Sequence, residues 1–426
     1  MIKKITLGAL IFLTIQIQSS AQFVSTQDSL ISNKTESKFR MEGYGEILYQ
    51  RHDYGANPKA ASAGSLSENR AVFSLPRLVL NLECDFTPDL TFSTEIEFEK
   101  GGTGSAMEIE YEEFGEYESE IEKGGEIVLE QFHLTKRFSN AFNLRAGHFI
   151  LALGQLNQRH LPFDFFTSIR PEGETAFMPS TWHETGFEVF GQINNWSYQF
   201  QVVNGLDANG FSSSNWIKTG YQTKFEDVKA TNLAYVGRVE YRGVQGLNLG
   251  ASFYTGKSSG NVAKPETMKN IDGRVSLFSM HARYKEGPWI ARANLLQGNL
   301  TDAAKISQIN SSLSGDSQYP RSPVAKGALT YGAELGFNVL QFFPQHKTRL
   351  YPFVRYEYYN TMEEVEKSQV ADARFKREVY TLGLNYFLKS NVALKLDYAM
   401  RKIDGGNFND ENTFGLAVVF SGIFIK

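Results

Sequence analysis

The sequence holds a single cysteine, Cys84, in 426 residues, so an internal disulfide framework is excluded. After residue 21 no segment approaches 18 uninterrupted apolar residues, and the mean hydropathy of −0.32 excludes a helical membrane protein. Prolines number only 12, and no Pro-rich or Ser/Gly-rich linker or shift in composition divides the chain into the two or three domains its length would suggest. The formal charge of −4 gives no case for nucleic acid as a partner. Catalytic signatures are also missing. There is no G-x-S-x-G, the Ser in "SGDSQ" (314–318) has no arguable His, and His160 and His183 lack metal-ligand spacing. The expectation is a non-enzyme with no cofactor and no metal.

What is present begins at the N-terminus. Lys3 and Lys4 precede the apolar run "ITLGALIFLTIQI" and then "QSSAQ". A basic start, a short apolar stretch and small residues before a cut after Ala21 predict a secretory signal peptide, residues 1–21, too short for a membrane helix. Its loss removes two lysines and takes the charge from −4 to −6. A short segment, 22–37, follows, and the rest, 38–426, reads as one unit. Sixteen residues are too few for the plug of an energy-coupled transporter.

From Arg77 to Glu99 the sequence alternates. Leu78, Leu80, Leu82, Cys84 and Phe86, then Leu90, Phe92, Thr94, Ile96 and Phe98, share one side; Arg77, Asn81, Glu83, Asp85, Glu95, Glu97 and Glu99 take the other. This is the period of a strand with one apolar and one polar face. Cys84, on the apolar side, reads as an inert small hydrophobe. "YTLGLNYFL" (380–388), "NVALKLDYAM" (391–400) and "NTFGLAVVFSGIFIK" (412–426) repeat the pattern. Sixteen strands are predicted, near 38–52, 70–86, 90–101, 125–138, 142–152, 183–195, 196–206, 232–244, 247–258, 272–285, 288–299, 326–343, 348–362, 373–388, 391–403 and 410–425. The alternation is weakest in the fourth and fifth.

Short connections ("TPD", "SNA", "NN", "VQG", "EG", "KS") alternate with long ones near 53–69, 102–124, 153–182, 207–231, 259–271, 300–325 and 363–372. An even strand number with short turns on one end and long loops on the other predicts an all-β transmembrane antiparallel β-barrel with short periplasmic turns and long extracellular loops. Hydrocarbon tolerates no open sheet edge, so such strands must close on themselves. At about 6.8 Å per residue pair, four or five outward apolar residues span the roughly 25 Å band. A secreted β-sandwich also alternates, but does not need sixteen strands with charge at every second position. The 20 Tyr and 33 Phe suit aromatic girdles.

The segment "NQRHLPFDFFTSIRPEGETAFMPSTWHETGFEVFG" (157–191) resembles the one after the fifth strand in outer-membrane porins of Bacteroidota, similar to the phosphate-selective porin O/P group. The matching motifs are Arg159-His160-Leu161-Pro162, Arg170-Pro171-Glu172-Gly173-Glu174 and Pro179-Ser180-Thr181-Trp182-His183-Glu184-Thr185-Gly186. The resemblance implies a channel without a cofactor, in the bacterial outer membrane. It also implies outer-membrane lipids, the barrel assembly machinery and small polar solutes as partners, and a homotrimer as the assembly. Arg159 and Arg170 are outnumbered here by Asp164, Glu172, Glu174, Glu184 and Glu188, and lysine is absent. Passive diffusion of small hydrophilic solutes or ions is therefore the first expectation, and uptake of an anionic nutrient such as phosphate the second.

Parity assigns the lumen. Arg77, Glu83, Glu95, Glu97 and Glu99 would line an acidic N-terminal wall. Arg238, Arg242, Arg283, Arg292, Arg349, Arg355 and Lys395, with Glu357, would line a more basic wall opposite. The connection 153–182 is the candidate constriction loop, because Phe163, Phe165, Phe166 and Phe177 would be costly to leave in water. Arg159, His160, Asp164, Phe165, Phe166, Arg170, Glu172, Glu174 and Trp182 are its candidate residues, with Arg170 expected to pair with a wall carboxylate. The acidic run 108–122, with eight Glu, reads as a solvated face open to cations.

Overall fold

A computed structural model describes residues 39–425 except 59–66, 68, 103–106, 111–117, 122–124, 223–224, 226–227, 314–321, 344, 346 and 406–407. The signal peptide, the 22–37 segment and most of the acidic run lie outside the described residues. Sixteen antiparallel strands form the barrel: β1 (Phe39–Asp53), β2 (Arg70–Ser74 and Arg77–Thr87), β3 (Leu90–Glu99), β4 (Glu126–Arg137), β5 (Asn143–Ile150), β6 (His183–Ile193), β7 (Trp196–Asn204), β8 (Leu233–Val244), β9 (Leu247–Lys257), β10 (Arg274–Glu286), β11 (Trp289–Leu300), β12 (Gly327–Phe337), β13 (Arg349–Glu364), β14 (Lys376–Lys389), β15 (Val392–Ile403) and β16 (Glu411–Ile425). Each pairs with its sequence neighbours, and β1 pairs with β16 from Met41↔Ile425 to Asp53↔Asn412, which closes the sheet. Closure satisfies the backbone of every strand without an edge.

Boundaries differ from the sequence expectation where local chemistry intervenes. Strand β2 breaks at Leu75-Pro76, because proline has no N–H for the ladder; both pieces still pair with β1. Strand β12 ends at Phe337 rather than near 343, and a helical turn, Val339–Phe342, follows. A further long connection, 404–410, separates β15 from β16. A two-stranded ribbon, Met107–Glu110 with Glu118–Ile121, stands apart from the barrel sheet.

The two faces of the wall differ as the alternation requires. Leu78, Leu134, Phe187, Val239, Leu249, Phe253, Met280, Leu335, Val354, Leu382, Leu394, Leu396 and Leu416 are exposed, at up to 70% for Phe187. A water-soluble monomer does not carry a continuous apolar belt of this extent. Aromatic pairs flank the belt. Near the short turns Trp196 meets Tyr241 at 4.7 Å and Trp289 meets Phe337 at 4.5 Å; toward the other end Tyr331 stacks on Tyr358 at 4.9 Å and Tyr356 meets Tyr380 at 5.1 Å. No described helix is long and apolar enough to cross a membrane.

The main apolar core lies inside one end of the barrel, not in the wall. Phe149, Leu151, Leu153, Phe177 and Trp182 pack with Leu206, Phe211 and Trp216, with Val262 and Met268, and with Ile306 and Val324. The described parts of three long connections, 205–232, 258–273 and 301–326, therefore fold together over the β6–β12 side. Gly298 on β11 leaves the space that the Trp216 ring fills.

Candidate functional site

Residues 151–182 join β5 to β6, and their side chains and backbone are mostly buried. An apolar segment can enter a polar barrel only if its backbone groups find partners there, because each unmet buried group costs about 1–3 kcal/mol. The wall supplies them. Ala152 N donates to Gln201 on β7 (2.9 Å), Gly154 N to Ser252 on β9 (3.1 Å) and Phe166 N to Glu334 on β12 (3.1 Å). Gly173 N donates to Glu357 on β13 (3.0 Å), and Ser168 donates through N and Oγ to Asp397 on β15. In the other direction Arg77 on β2 donates to His160 O (2.8 Å), Arg238 on β8 to Gly154 O (2.6 Å) and Asn385 on β14 to Phe166 O (2.6 Å). In a ring of sixteen, β13 stands opposite β5, so the segment crosses the interior from wall to wall.

Lys395 on β15 is the strongest of these anchors. Its side chain is 1% exposed, and Nζ donates to Pro162 O, to Phe165 O (2.9 Å) and to Thr167 O (3.0 Å), with the Phe165 ring 4.3 Å away. The three protons of one ammonium gather three carbonyls of a single turn. Phe166 fills a niche between Phe353 (5.3 Å) and Tyr351 (5.4 Å), under the Arg292 guanidinium (4.9 Å). Gly336 forms its floor, where a Cβ would collide with the ring. Gly336→Leu should therefore expel Phe166 and cost about 1–3 kcal/mol. Limited proteolysis of the folded barrel, cutting within 151–182 only in the variant, checks this.

The remaining predicted residues are accounted for as follows. Glu172 meets Arg401 and accepts from Tyr359 Oη (2.9 Å); burial alone would raise its carboxyl, but Arg401 and Tyr359 outweigh it and hold it below the usual range. Glu174 is fully buried and accepts from Gln155 N (2.9 Å), Leu156 N (2.9 Å) and Asn294 (2.9 Å); burial keeps it above the usual range. Asp164 meets Arg283 at 3.3 Å, and Arg159 meets Glu240 at 3.4 Å. Trp182 is wholly buried and donates to Glu184 (2.9 Å). Among the described residues Arg170 forms no ion pair with a wall carboxylate, although Glu97 and Glu130 are near enough to attract it. It donates to Thr181 Oγ1 (2.8 Å) inside the segment, at a residue held at φ 52°. Burial pushes the His160 imidazole well below its ordinary value.

The wall residues show a finer pattern than two walls of opposite sign. Arg238 and Arg242 both bond Glu240 (2.5 and 2.8 Å), Arg292 pairs with Glu334, and Arg355 with Glu357 (3.0 Å). These arginines are matched. The acidic side keeps Glu95, Glu97 and Glu99, while Glu83 meets Arg40 and Arg77 meets Glu46 at 2.7 Å. Toward the short turns Arg283, Lys285, Arg292 and Arg349 lie close enough to repel one another, and Arg349 rests on Phe387 (4.7 Å). A small polar cavity of about 10 Å³, room for a single water, lies beside the inserted segment on the β13–β16 and β1 side, lined by Arg170, Glu172, Gln50, Thr381, Arg401 and Thr413.

Sequence reasoning missed Glu46, Glu130, Asn294, Asn385 and the covering connections. Inward glycines facing bulky loop residues were the available signal: Gly298 opposite Trp216, Gly336 opposite Phe166.

No family model matches the sequence. Over 371 residues the chain is 29% identical to an uncharacterized protein of Aquifex aeolicus (strain VF5), covering 86% of this chain and 77% of that one. Solved structures similar over nine-tenths of the chain are the anion-selective porin from Comamonas acidovorans (TM-score 0.54, 12% identity, 91% of this chain and all of that one) and the outer-membrane channel DcaP of Acinetobacter baumannii (0.54, 11%, 91% and 99%). The chain has the fold of the outer-membrane porins. OmpF of Salmonella typhi, solved with daunomycin, is similar to the same degree (TM-score 0.54, 10% identity, 90% and 97%). At these identities the likeness is one of architecture: the closed sixteen-strand porin barrel.

Proposed function

We propose that the chain is a passive diffusion channel of the bacterial outer membrane, not an enzyme, and that residues 151–182 form its constriction. The observation that carries this reading is the hydrogen-bonded path of the segment across the interior, pinned by Lys395, Asp397, Glu334 and Glu357. A barrel serving only as an anchor has no use for an inner wall built to hold a crossing segment. The β6–β12 side is filled by apolar side chains, which leaves the polar β13–β16 and β1 side, with the small cavity by Arg170, Glu172 and Arg401, as the route for solutes. The surrounding partners are outer-membrane lipid, the assembly machinery and polar solutes, and the homotrimer implied by the resemblance is tested by cross-linking in native membranes.

Lys285 and Arg349, which stand beside the already paired Arg283 and Arg292, support a preference for anions among those solutes, and the resemblance to the phosphate-selective porins of Bacteroidota makes inorganic phosphate the first to try. Replacing Lys285 and Arg349 together by Ala should shift the reversal potential in a salt gradient toward cations. Arg355 is a poor choice for this test, because Glu357 and Glu334 already match it. The shift should shrink as salt rises, since the Debye length falls from about 10 Å at 0.1 M to about 3 Å at 1 M. An unchanged reversal potential at low salt removes the anion preference and leaves the channel.

A further inference from the structure

The geometry points to a site for a zinc-class divalent cation, with Glu95 of β3, Glu130 of β4 and His160 of the inserted segment as its protein ligands. His160 Nε2 stands 3.9 Å from Glu95 Oε1 and 4.0 Å from Glu130 Oε2, and all three residues are at least nine-tenths buried. One donor atom from each falls within a common 4.8 Å. Ligands about 2.1 Å from a tetrahedral zinc are about 3.4 Å apart, so closing the set takes a contraction of about half an ångström at each His160–carboxylate distance and of up to about 1.4 Å between the two carboxylates.

The orientation of each ligand is fixed from behind. His160 Nδ1 bonds the carbonyl of Asn157 (3.0 Å), which can only accept, so Nδ1 carries a proton and Nε2 faces the carboxylates. Glu95 Oε2 accepts from Gln131, which leaves Oε1 for an ion. Among the described residues, His160 Nε2 and Glu130 Oε2 have no hydrogen-bond partner although both atoms are sealed from solvent. Such atoms are costly in isolation, and two of them aimed at one point indicate a shared ligand.

The backbone makes the same case. The register between β3 and β4 slips between Glu95↔Gln131 and Ile96↔Leu129, so Glu130 is the extra residue of a β-bulge. Regular pairing would turn Glu130 away from Gln131; the bulge turns both inward, where both are buried. The composition of the cluster points the same way: four carboxyls, of Glu46, Glu95, Glu97 and Glu130, share it with only two guanidinium groups, of Arg77 and Arg170. One imidazole with carboxylates suits zinc, cobalt or manganese better than calcium or magnesium, which take all-oxygen sets. Bound there, the ion would tie the inserted segment to the β3–β4 wall, about a quarter of the ring from Lys395 on β15.

The test uses the full mature chain in detergent, stripped with a chelator and loaded separately with Zn2+ and Co2+. One equivalent of Zn2+ per chain and a cobalt ligand-field spectrum are expected, both lost in His160→Gln and in Glu130→Gln but kept in Glu83→Gln. Resistance to SDS before boiling checks that each variant is folded, and anomalous scattering at the zinc edge in wild-type crystals locates the ion independently of any variant. No stoichiometric zinc in wild type overturns the proposal. Zinc bound equally by wild type and both ligand variants also overturns it and moves the ion to the acidic 108–122 run.

Discussion

Deleting residues 163–172 should raise single-channel conductance severalfold and admit larger sugars, while the barrel still assembles. The deleted stretch carries Phe163, Phe165 and Phe166, the carbonyl of Phe165 that meets Lys395, and the Glu172 carboxylate that meets Arg401. None of it belongs to a strand, so the sheet and its closure are untouched. The flanking residues remain pinned by Gln201, Ser252 and Arg238, which prevents collapse of the whole connection. A deletion within the covering connection 301–326 should act differently. Ile306 and Val324 belong to the apolar core over the β6–β12 side, so that change should lower stability more than it widens the path. Planar-bilayer recordings of both variants separate the two effects.

The second large effect concerns the outer face. Leu394→Arg should destabilise the barrel by about 2–4 kcal/mol if it lies at the mid-bilayer, because a guanidinium there loses its water without gaining a partner. Leu394 is exposed on β15, while its neighbours Ala393 and Lys395 are buried inside. Gln199→Arg, on the inner side of β7 beside Glu188, should be nearly neutral. Unfolding in urea from vesicles, followed by the SDS-resistant fraction, gives both values. Equal costs at the two positions would place lipid on neither face.

The barrel was legible in the sequence because its physics is local and periodic. A strand between lipid and a polar interior must alternate, and Leu394, Leu396 and Tyr398 against Lys395 and Asp397 do so without reference to any distant residue. The fourth strand looked irregular for a physical reason: the bulge at Glu130 inverts the alternation within β4, so a period-two reading places Glu130 and Gln131 on opposite faces when both turn inward. The fifth is irregular because His148, Phe149 and Ile150 are all buried at its end, where the strand enters the apolar core. The partners inside the barrel were less legible. Nothing near Lys395 in sequence indicates that it holds Pro162, Phe165 and Thr167, and Arg170 carries no mark that it would turn to Thr181 while Glu172 takes the wall arginine. The Lys395 and Arg401 contacts depend on the ring order of the strands, which brings residues more than 200 positions apart into one layer. For the same reason the sequence alone presents the covering connections as long extracellular loops. Trp216, Ile306 and Val324 lie in polar stretches, and only the assembled core shows them buried.

The central claim, that solutes pass beside residues 151–182, is tested most directly at Arg170. In a Cys84→Ser background, Arg170→Cys places one thiol at the small polar cavity, and an anionic methanethiosulfonate is added during a single-channel recording. The account predicts a stepwise fall in open-channel current and a shift toward cation preference, both reversed by reductant. Complete labelling by mass with no change in current, or a folded barrel that passes no current at all, would contradict it.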